Sequence, residues 1–199
     1  MTQRRVRRGR IVLGALAVLV AAAVVFAVKT LSGGLPDRVY KLETACGGTT
    51  YDDAAPYTGP GPHPVAIFMP TEFGELFVVG PTMPDRSDWA AANPEDPAAV
   101  QLVACGTVES ERRSADLVCG GYGAMVGRST AVPMARATYR IRVYELRTHR
   151  ELRSVLVEGE DTRCPPSISA DSPPERLISE LTAAQWQPVL ADLVEAAPR

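Results

Sequence analysis

An unbroken apolar run of 18 residues, Ile11–Val28, follows an N-terminus that carries five arginines in its first ten positions. A helix of this length spans ~27 Å, close to the ~30 Å hydrocarbon layer of a bilayer. No acidic residue precedes Asp37, and this asymmetry predicts a cytoplasmic N-terminus with the rest of the chain translocated. We therefore expect a single-pass plasma-membrane protein with a basic cytoplasmic tail (1–10), a transmembrane helix (11–28), a linker (29–36) and an extracytoplasmic domain (37–199).

A cleaved signal peptide is the alternative. The apolar core of a signal peptide is ~7–15 residues long, which is shorter than this run and favours an anchor. However, six of the 18 residues are alanine, and Val25-Phe26-Ala27 offers small residues for a signal peptidase. No cysteine directly follows the run, which excludes lipoprotein anchoring through a cysteine.

The charge balance reverses beyond the N-terminal arginines. From Lys29 onward there are 16 basic and 23 acidic residues, a net charge of −7. A domain with this charge repels phosphate backbones and anionic head groups, so nucleic acid is not an expected partner. The 171 residues after Val28 suffice for one domain with its own hydrophobic core.

Four cysteines lie in the translocated part of the chain: Cys46, Cys105, Cys119 and Cys164. An even number of cysteines outside the cytosol predicts two disulfides, with three possible connectivities. No two cysteines are two to four residues apart and neither histidine is near one, so the spacing of a metal site is missing. We expect no metal and no cofactor.

Short apolar segments separated by turn residues predict two β-hairpins. One pairs Val65–Met69 with Glu75–Val79, and the other pairs Thr138–Leu146 with Leu152–Val157. The second hairpin alternates cleanly, and we expect its arginine-bearing face to be solvated. Val39–Cys46 is interpreted as extended, and 81–97 as a long acidic loop.

A third hairpin is predicted between Val100–Val108 and Asp116–Cys119, with its turn near Arg112. This fold would place Cys105 opposite Cys119 at a Cβ separation of ~4.5–5.5 Å, suitable for a disulfide. Cys46 would then pair with Cys164, although a register slip of two residues would undo this connectivity. The glycine-rich run after Cys119 predicts a bulge or a tight turn.

The C-terminal segment switches to a helical pattern. Ser172–Glu175 and Thr182–Gln185 each have the pattern of a capping box, so two helix starts are expected. The second precedes an apolar helix face formed by Trp186, Val189, Leu190, Leu193 and Val194. The resulting fold class is α+β: a disulfide-stapled antiparallel sheet covered by a C-terminal helical pair.

The sequence offers no catalytic constellation, and the site prediction therefore names no catalytic residue. His63 and His149 are 86 residues apart, in a proline-rich loop and a predicted turn. Acidic residues occur near Cys164 (Glu158, Glu160 and Asp161) and near Cys46 (Asp52 and Asp53). A Cys46–Cys164 disulfide would bring these two groups together, as a weak Ca²⁺ site would need, but neither group has the glycine-punctuated loop of calcium-binding proteins.

Several short motifs resemble a pattern found in uncharacterised actinobacterial single-pass membrane proteins with a small disulfide-containing extracytoplasmic domain. They are Leu102-Val103-Ala104-Cys105, Cys119 with Tyr122, Tyr139–Thr148 and Cys164-Pro165, all within residues 99–165. The Gly-rich Cys119–Gly123 segment departs from the simpler Cys-x-Tyr spacing of that pattern. The resemblance implies an α+β or sandwich-like domain, and it assigns no activity and no functional residue.

Three functions follow from these observations. The leading hypothesis is a non-catalytic, membrane-anchored domain for interaction or sensing at the cell envelope, with an envelope protein or glycan as partner. The alternative is a hydrolase of envelope polymers that uses paired carboxylates such as Glu158 and Asp161. The third is an assembly factor that acts through the 11–28 span, in which Gly14 is the only glycine, so no glycine-pair packing motif supports it.

Overall fold

The computed structural model describes residues 34–70, 76–79, 96–122, 130–168 and 174–195. Those from Leu35 onward belong to one folded unit. Within these ranges, no helix has the length and apolar character that crossing a membrane requires. The predicted span 11–28 and most of the acidic loop 81–97 lie outside the described residues, so the anchor stays a prediction.

Six strands among the described residues form one mixed sheet. They are β1 (Val65–Pro70), β2 (Leu76–Val79), β3 (Leu102–Tyr122), β4 (Thr130–Glu145), β5 (Glu151–Glu158) and β6 (Leu177–Ile178). The order across the sheet is β2-β1-β3-β4-β5, and β6 pairs with β4. The β1–β3 and β4–β6 pairs are parallel and the others antiparallel, so the prediction of a purely antiparallel sheet is wrong. The β1–β2 and β4–β5 hairpins confirm the two sequence predictions.

The predicted turn near Arg112 is wrong, because β3 continues through it for 21 residues against β4. The 109–115 segment contains no glycine or proline to reverse the chain. Its polar residues lie where β3 and β4 extend beyond the main core, so polar side chains on both faces are tolerated. Register shifts interrupt the pairing, one of them between Cys119 and Tyr122 around Gly121 (φ 87°). That shift confirms the predicted bulge.

The segment predicted as extended near residue 39 is a 3₁₀ helix, Val39–Gly47. Its buried residues Val39, Leu42 and Ala45 are spaced by three, which is the period of a 3₁₀ helix and not of a strand. A second short 3₁₀ helix, Pro97–Ala99, precedes β3, and the Asp96 side chain accepts a hydrogen bond from its Ala98 N–H.

The described C-terminal region contains one α-helix, α1 (Ala183–Glu195), instead of the predicted pair. Its start confirms the second capping box, since the Thr182 N–H donates to Gln185 Oε1 at 3.0 Å. Half of the first box, residues 172 and 173, lies outside the described residues, and the chain beyond it pairs with β4 as β6. Pairing with an existing strand edge therefore overrides the local helix signal.

The four cysteines form two disulfides, Cys46–Cys105 and Cys119–Cys164. The predicted pairing of Cys105 with Cys119 is wrong. These residues stand on one continuous strand, and at ~3.3 Å per residue 14 positions separate them by roughly 45 Å. Cys105 instead faces the first 3₁₀ helix, which ends beside Cys46.

The sheet has a core on each face. On one face, α1 packs on β1, β3 and β4 with Trp186, Val189, Leu190 and Val194 buried, which confirms the predicted apolar side of this helix. On the opposite face, the first 3₁₀ helix covers β1 and the adjoining parts of β3 and β4. A smaller cluster around the Cys119–Cys164 disulfide closes the far end of β3 and β4.

Candidate functional site

Beyond the first 3₁₀ helix, part of one sheet face is left without a covering element among the described residues. We call it the uncovered face. Strand register places on it Thr107, Ser110 and Arg112 of β3, Arg136, Thr138, Arg140 and Arg142 of β4, and Ser154, Leu156 and Glu158 of β5. The predicted solvated arginine face of β4 is therefore part of a larger surface that spans three strands.

Charge on the uncovered face differs from the charge of the domain. This face carries four arginines and three acidic residues. The acidic residues are Glu158, Glu109 in the bulge of β3, and Glu151 at the start of β5. Arg140 forms a two-pronged ion pair with Glu109 at 2.9 Å, and Arg112 contacts Glu158 at 2.8 Å. The hydrogen bond from Arg140 lowers the pKa of Glu109. The face is thus slightly basic on a domain that is acidic.

Arg142 is exposed on this face and makes no hydrogen bond or ion pair with any described residue, although its charge helps to lower the pKa of Glu109. On β4 it stands between Cys105 of β3 and Ser154 of β5. Because the serine side chain is short, no bulky β5 side chain at this register position stands between Arg142 and the outer edge of the sheet. Arg142 is therefore a cation that a ligand at this edge can reach.

Strand β5 is an outer strand of the sheet, and none of its eight residues is buried. Leu152, Val155 and Val157 pack against the α1-side core and are partly buried. Leu156 points to the uncovered face and is 54% exposed. A strand of this composition at a sheet edge is a template for pairing with another extended chain.

The direction of the β5 backbone groups follows from one hydrogen bond. The Gly159 N–H donates to Ala137 O at 2.8 Å, so Thr138 and Glu158 form a non-hydrogen-bonded pair. Hydrogen-bonded and non-hydrogen-bonded pairs alternate along an antiparallel ladder. The N–H and C=O of Ser154 and Leu156 therefore also point away from β4. No described residue accepts from or donates to these four groups.

Helix α1 lies along β5 on the opposite sheet face. Arg153 donates to Val189 O at 2.7 Å and pairs with Asp192, so the helix is fixed over the middle of the strand. At the other end, Gln185 Nε2 donates to Glu158 O at 2.6 Å. These contacts support β5 from behind, and no described residue pairs with its outer edge along Ser154 and Leu156, which we call the open edge.

Both histidines are held in the fold by hydrogen bonds and by contacts with aromatic rings. His63 is fully buried, with Nδ1 2.6 Å from Gln101 Oε1 and the ring edge against Tyr57. His149 adopts a left-handed conformation in the β4–β5 turn, where Nε2 donates to Ala45 O at 2.8 Å. Its ring also stacks on Tyr144.

The carboxylates proposed for hydrolysis are bound to arginines. Glu158 pairs with Arg112, and Asp161 accepts hydrogen bonds from Arg163 that lower the pKa of Asp161. A general acid near neutral pH needs a raised pKa, so this arrangement gives the hydrolase hypothesis no support.

The predicted approach of the acidic groups near Cys46 and Cys164 depended on a disulfide that does not form. Among the residues that the structure describes, no three acidic, histidine or cysteine side chains are grouped as a metal site would need.

Sequence reasoning did not identify the β5 edge. A signal was present: Val155, Leu156 and Val157 are consecutive apolar residues in a strand, so at least one must point away from the core. The edge position of β5 could not be inferred, because it depends on which strands pair. No family model, curated protein or solved structure matches this chain.

Proposed function

We propose that this protein is a non-catalytic interaction domain held at the cell envelope by the predicted 11–28 anchor. The observation that carries the proposal is the open β5 edge, which lies beside the uncovered face with the exposed Leu156 and Arg142. Such a surface presents backbone hydrogen-bonding groups, an apolar side chain and a positive charge together. An envelope protein or glycan would bind there.

Two further observations support an extracytoplasmic location for the domain. Two disulfides are typical of proteins that mature in an oxidising compartment, so the disulfides favour an extracytoplasmic domain. The arginine-rich N-terminus and the apolar run favour an anchored chain with its C-terminal domain outside.

In-cell crosslinking of the tagged full-length protein, followed by mass spectrometry, tests this function. One dominant protein, or a defined glycan, should be retained. A variant with an unrelated transmembrane span in place of 11–28 should retain the same partner, since binding is assigned to the domain. Loss of the partner on exchanging the span would assign binding to the membrane segment, and recovery of no specific molecule would refute the proposal.

A further inference from the structure

We infer that the β5 edge binds an extended segment of a partner protein, which adds to the sheet as an antiparallel strand and carries a carboxylate opposite Ser154. This inference rests on the proposed function and specifies its ligand. Strand addition is a common mode of peptide recognition, in which the backbone supplies affinity and the side chains supply specificity.

The backbone of β5 determines the register of the added strand. Ser154 and Leu156 each present an N–H and a C=O to the open edge, so two residues of the ligand would form hydrogen-bonded pairs with them. The next outward carbonyl, that of Glu158, already accepts from Gln185 Nε2. The pairing is therefore centred on Val155 and covers about five residues.

Side chains on the two faces determine the ligand sequence. On the uncovered face, the ligand residue opposite Leu156 would cover an exposed leucine and should be apolar. The residue opposite Ser154 would lie ~10 Å from the Cβ of Arg142, two strand spacings away, where a carboxylate meets the guanidinium across the serine. On the α1 face, apolar residues would extend the partly buried row of Val155 and Val157.

A second copy of this chain fits the edge less well. A twofold axis through Val155 would also satisfy the four backbone groups, but it places Leu156 of the partner opposite Ser154 and leaves Arg142 without a carboxylate. Two domains that each carry a net charge of −7 also repel one another. A short acidic segment avoids most of this repulsion, because charges beyond ~8 Å are screened at physiological ionic strength.

Five-residue strand peptides with Gly-Ser flanks test the inference by fluorescence anisotropy with the full-length protein. The probe is Val-Leu-Val-Glu-Val, whose leucine and glutamate would face Leu156 and Ser154. N-methylation of these two residues should abolish binding, because their amides donate to β5. N-methylation of the valines at peptide positions 1 and 3 should leave binding intact, because their amides point away from β5. Equal binding of both methylated peptides would refute strand addition.

Two protein variants with matched controls locate the site. Leu156→Asp removes the apolar contact and places a carboxylate beside that of the ligand, so it should weaken binding at least tenfold, whereas Val118→Asp, at an equally exposed apolar position on β3 (57%), should not. Arg142→Gln should weaken binding of the glutamate peptide by about twofold to fivefold and leave that of a glutamine peptide unchanged. Arg147→Gln, in the β4–β5 turn, is its control. Equal effects on both peptides would refute the role of Arg142.

The remaining outcomes separate this inference from the proposed function. If crosslinking in cells retains a partner that Leu156→Asp does not release, the function stands and strand addition at β5 is refuted. If sedimentation shows a dimer that Leu156→Asp dissociates and the peptide does not, the occupant of the edge is a second copy of the chain.

Discussion

Removal of the Tyr139 hydroxyl tests how the C-terminal segment is attached to the sheet. Tyr139 is 2% exposed on β4, and its hydroxyl donates to Ser179 O at 2.8 Å. Ser179, also buried, donates its N–H to Ala135 O and accepts from the Ala137 N–H through Oγ. Burial raises the pKa of Tyr139, so the hydroxyl stays a donor under all ordinary conditions.

The expected cost of Tyr139→Phe is about 2 kcal/mol. The substitution keeps the ring and its packing but leaves the buried Ser179 O without this donor, and orphaning a buried acceptor costs about 1–3 kcal/mol. For a chain of this size, 1 kcal/mol corresponds to a change in Tm of ~2–4 °C, so Tm should fall by ~4–8 °C.

Thermal unfolding followed by near-ultraviolet circular dichroism measures this effect on the full-length protein in detergent. Tyr144→Phe is the matched control, because Tyr144 is also on β4 and buried (8% exposed) but its hydroxyl makes no hydrogen bond with any described residue. The control should change Tm by less than ~2 °C. Equal Tm values for the two variants would refute the assigned role of the hydrogen bond.

Three further predictions concern the same fold. Gly61→Ala should destabilise the domain by at least ~2 kcal/mol in urea unfolding, because a Cβ there would lie 2.5 Å from Val194 O. Gly47→Ala is the control and should be nearly neutral, because a Cβ at position 47 would have no atom within 4 Å. Arg153 lowers the pKa of Asp192, so the ion pair contributes stability above about pH 4 and loses it as the pH falls through the lowered pKa. Asp192→Asn should therefore unfold at lower urea than wild type at pH 7, and the difference should disappear as the pH falls through the lowered pKa; a difference that stays constant with pH would contradict this. Digestion without reduction should yield only the two disulfide-linked peptide pairs described above, as seen by mass spectrometry.

Local patterns predicted the elements whose signals are self-contained. The alternation of Thr138–Leu146 and the apolar spacing after Thr182 each appear in the structure as expected, because one buried face imposes its period on the chain. The prediction near Arg112 failed for a related reason. A polar stretch is compatible with a turn and with a strand exposed on both faces, and only the partner strand distinguishes them.

The disulfides and the candidate site needed information from distant parts of the chain. The presence of four paired cysteines followed from their number, but their connectivity depended on whether β3 turned back. Leu156 and Arg142 belong to the candidate site because β5 is an outer strand and because only the short side chain of Ser154 separates Arg142 from the edge. Neither fact is encoded within a short window of sequence.

The sequence by itself determined the charge asymmetry of the N-terminus, the acidic character of the remaining chain, the disulfide-bonded state and the identity of the main hairpins and the last helix. These properties depend on composition and on short-range periodicity. Tertiary structure alone decided the strand order, the cysteine connectivity and the position of β5 at the edge of the described sheet. Each of these depends on contacts between residues far apart in the chain, where packing and hydrogen-bond pairing select among locally equivalent conformations.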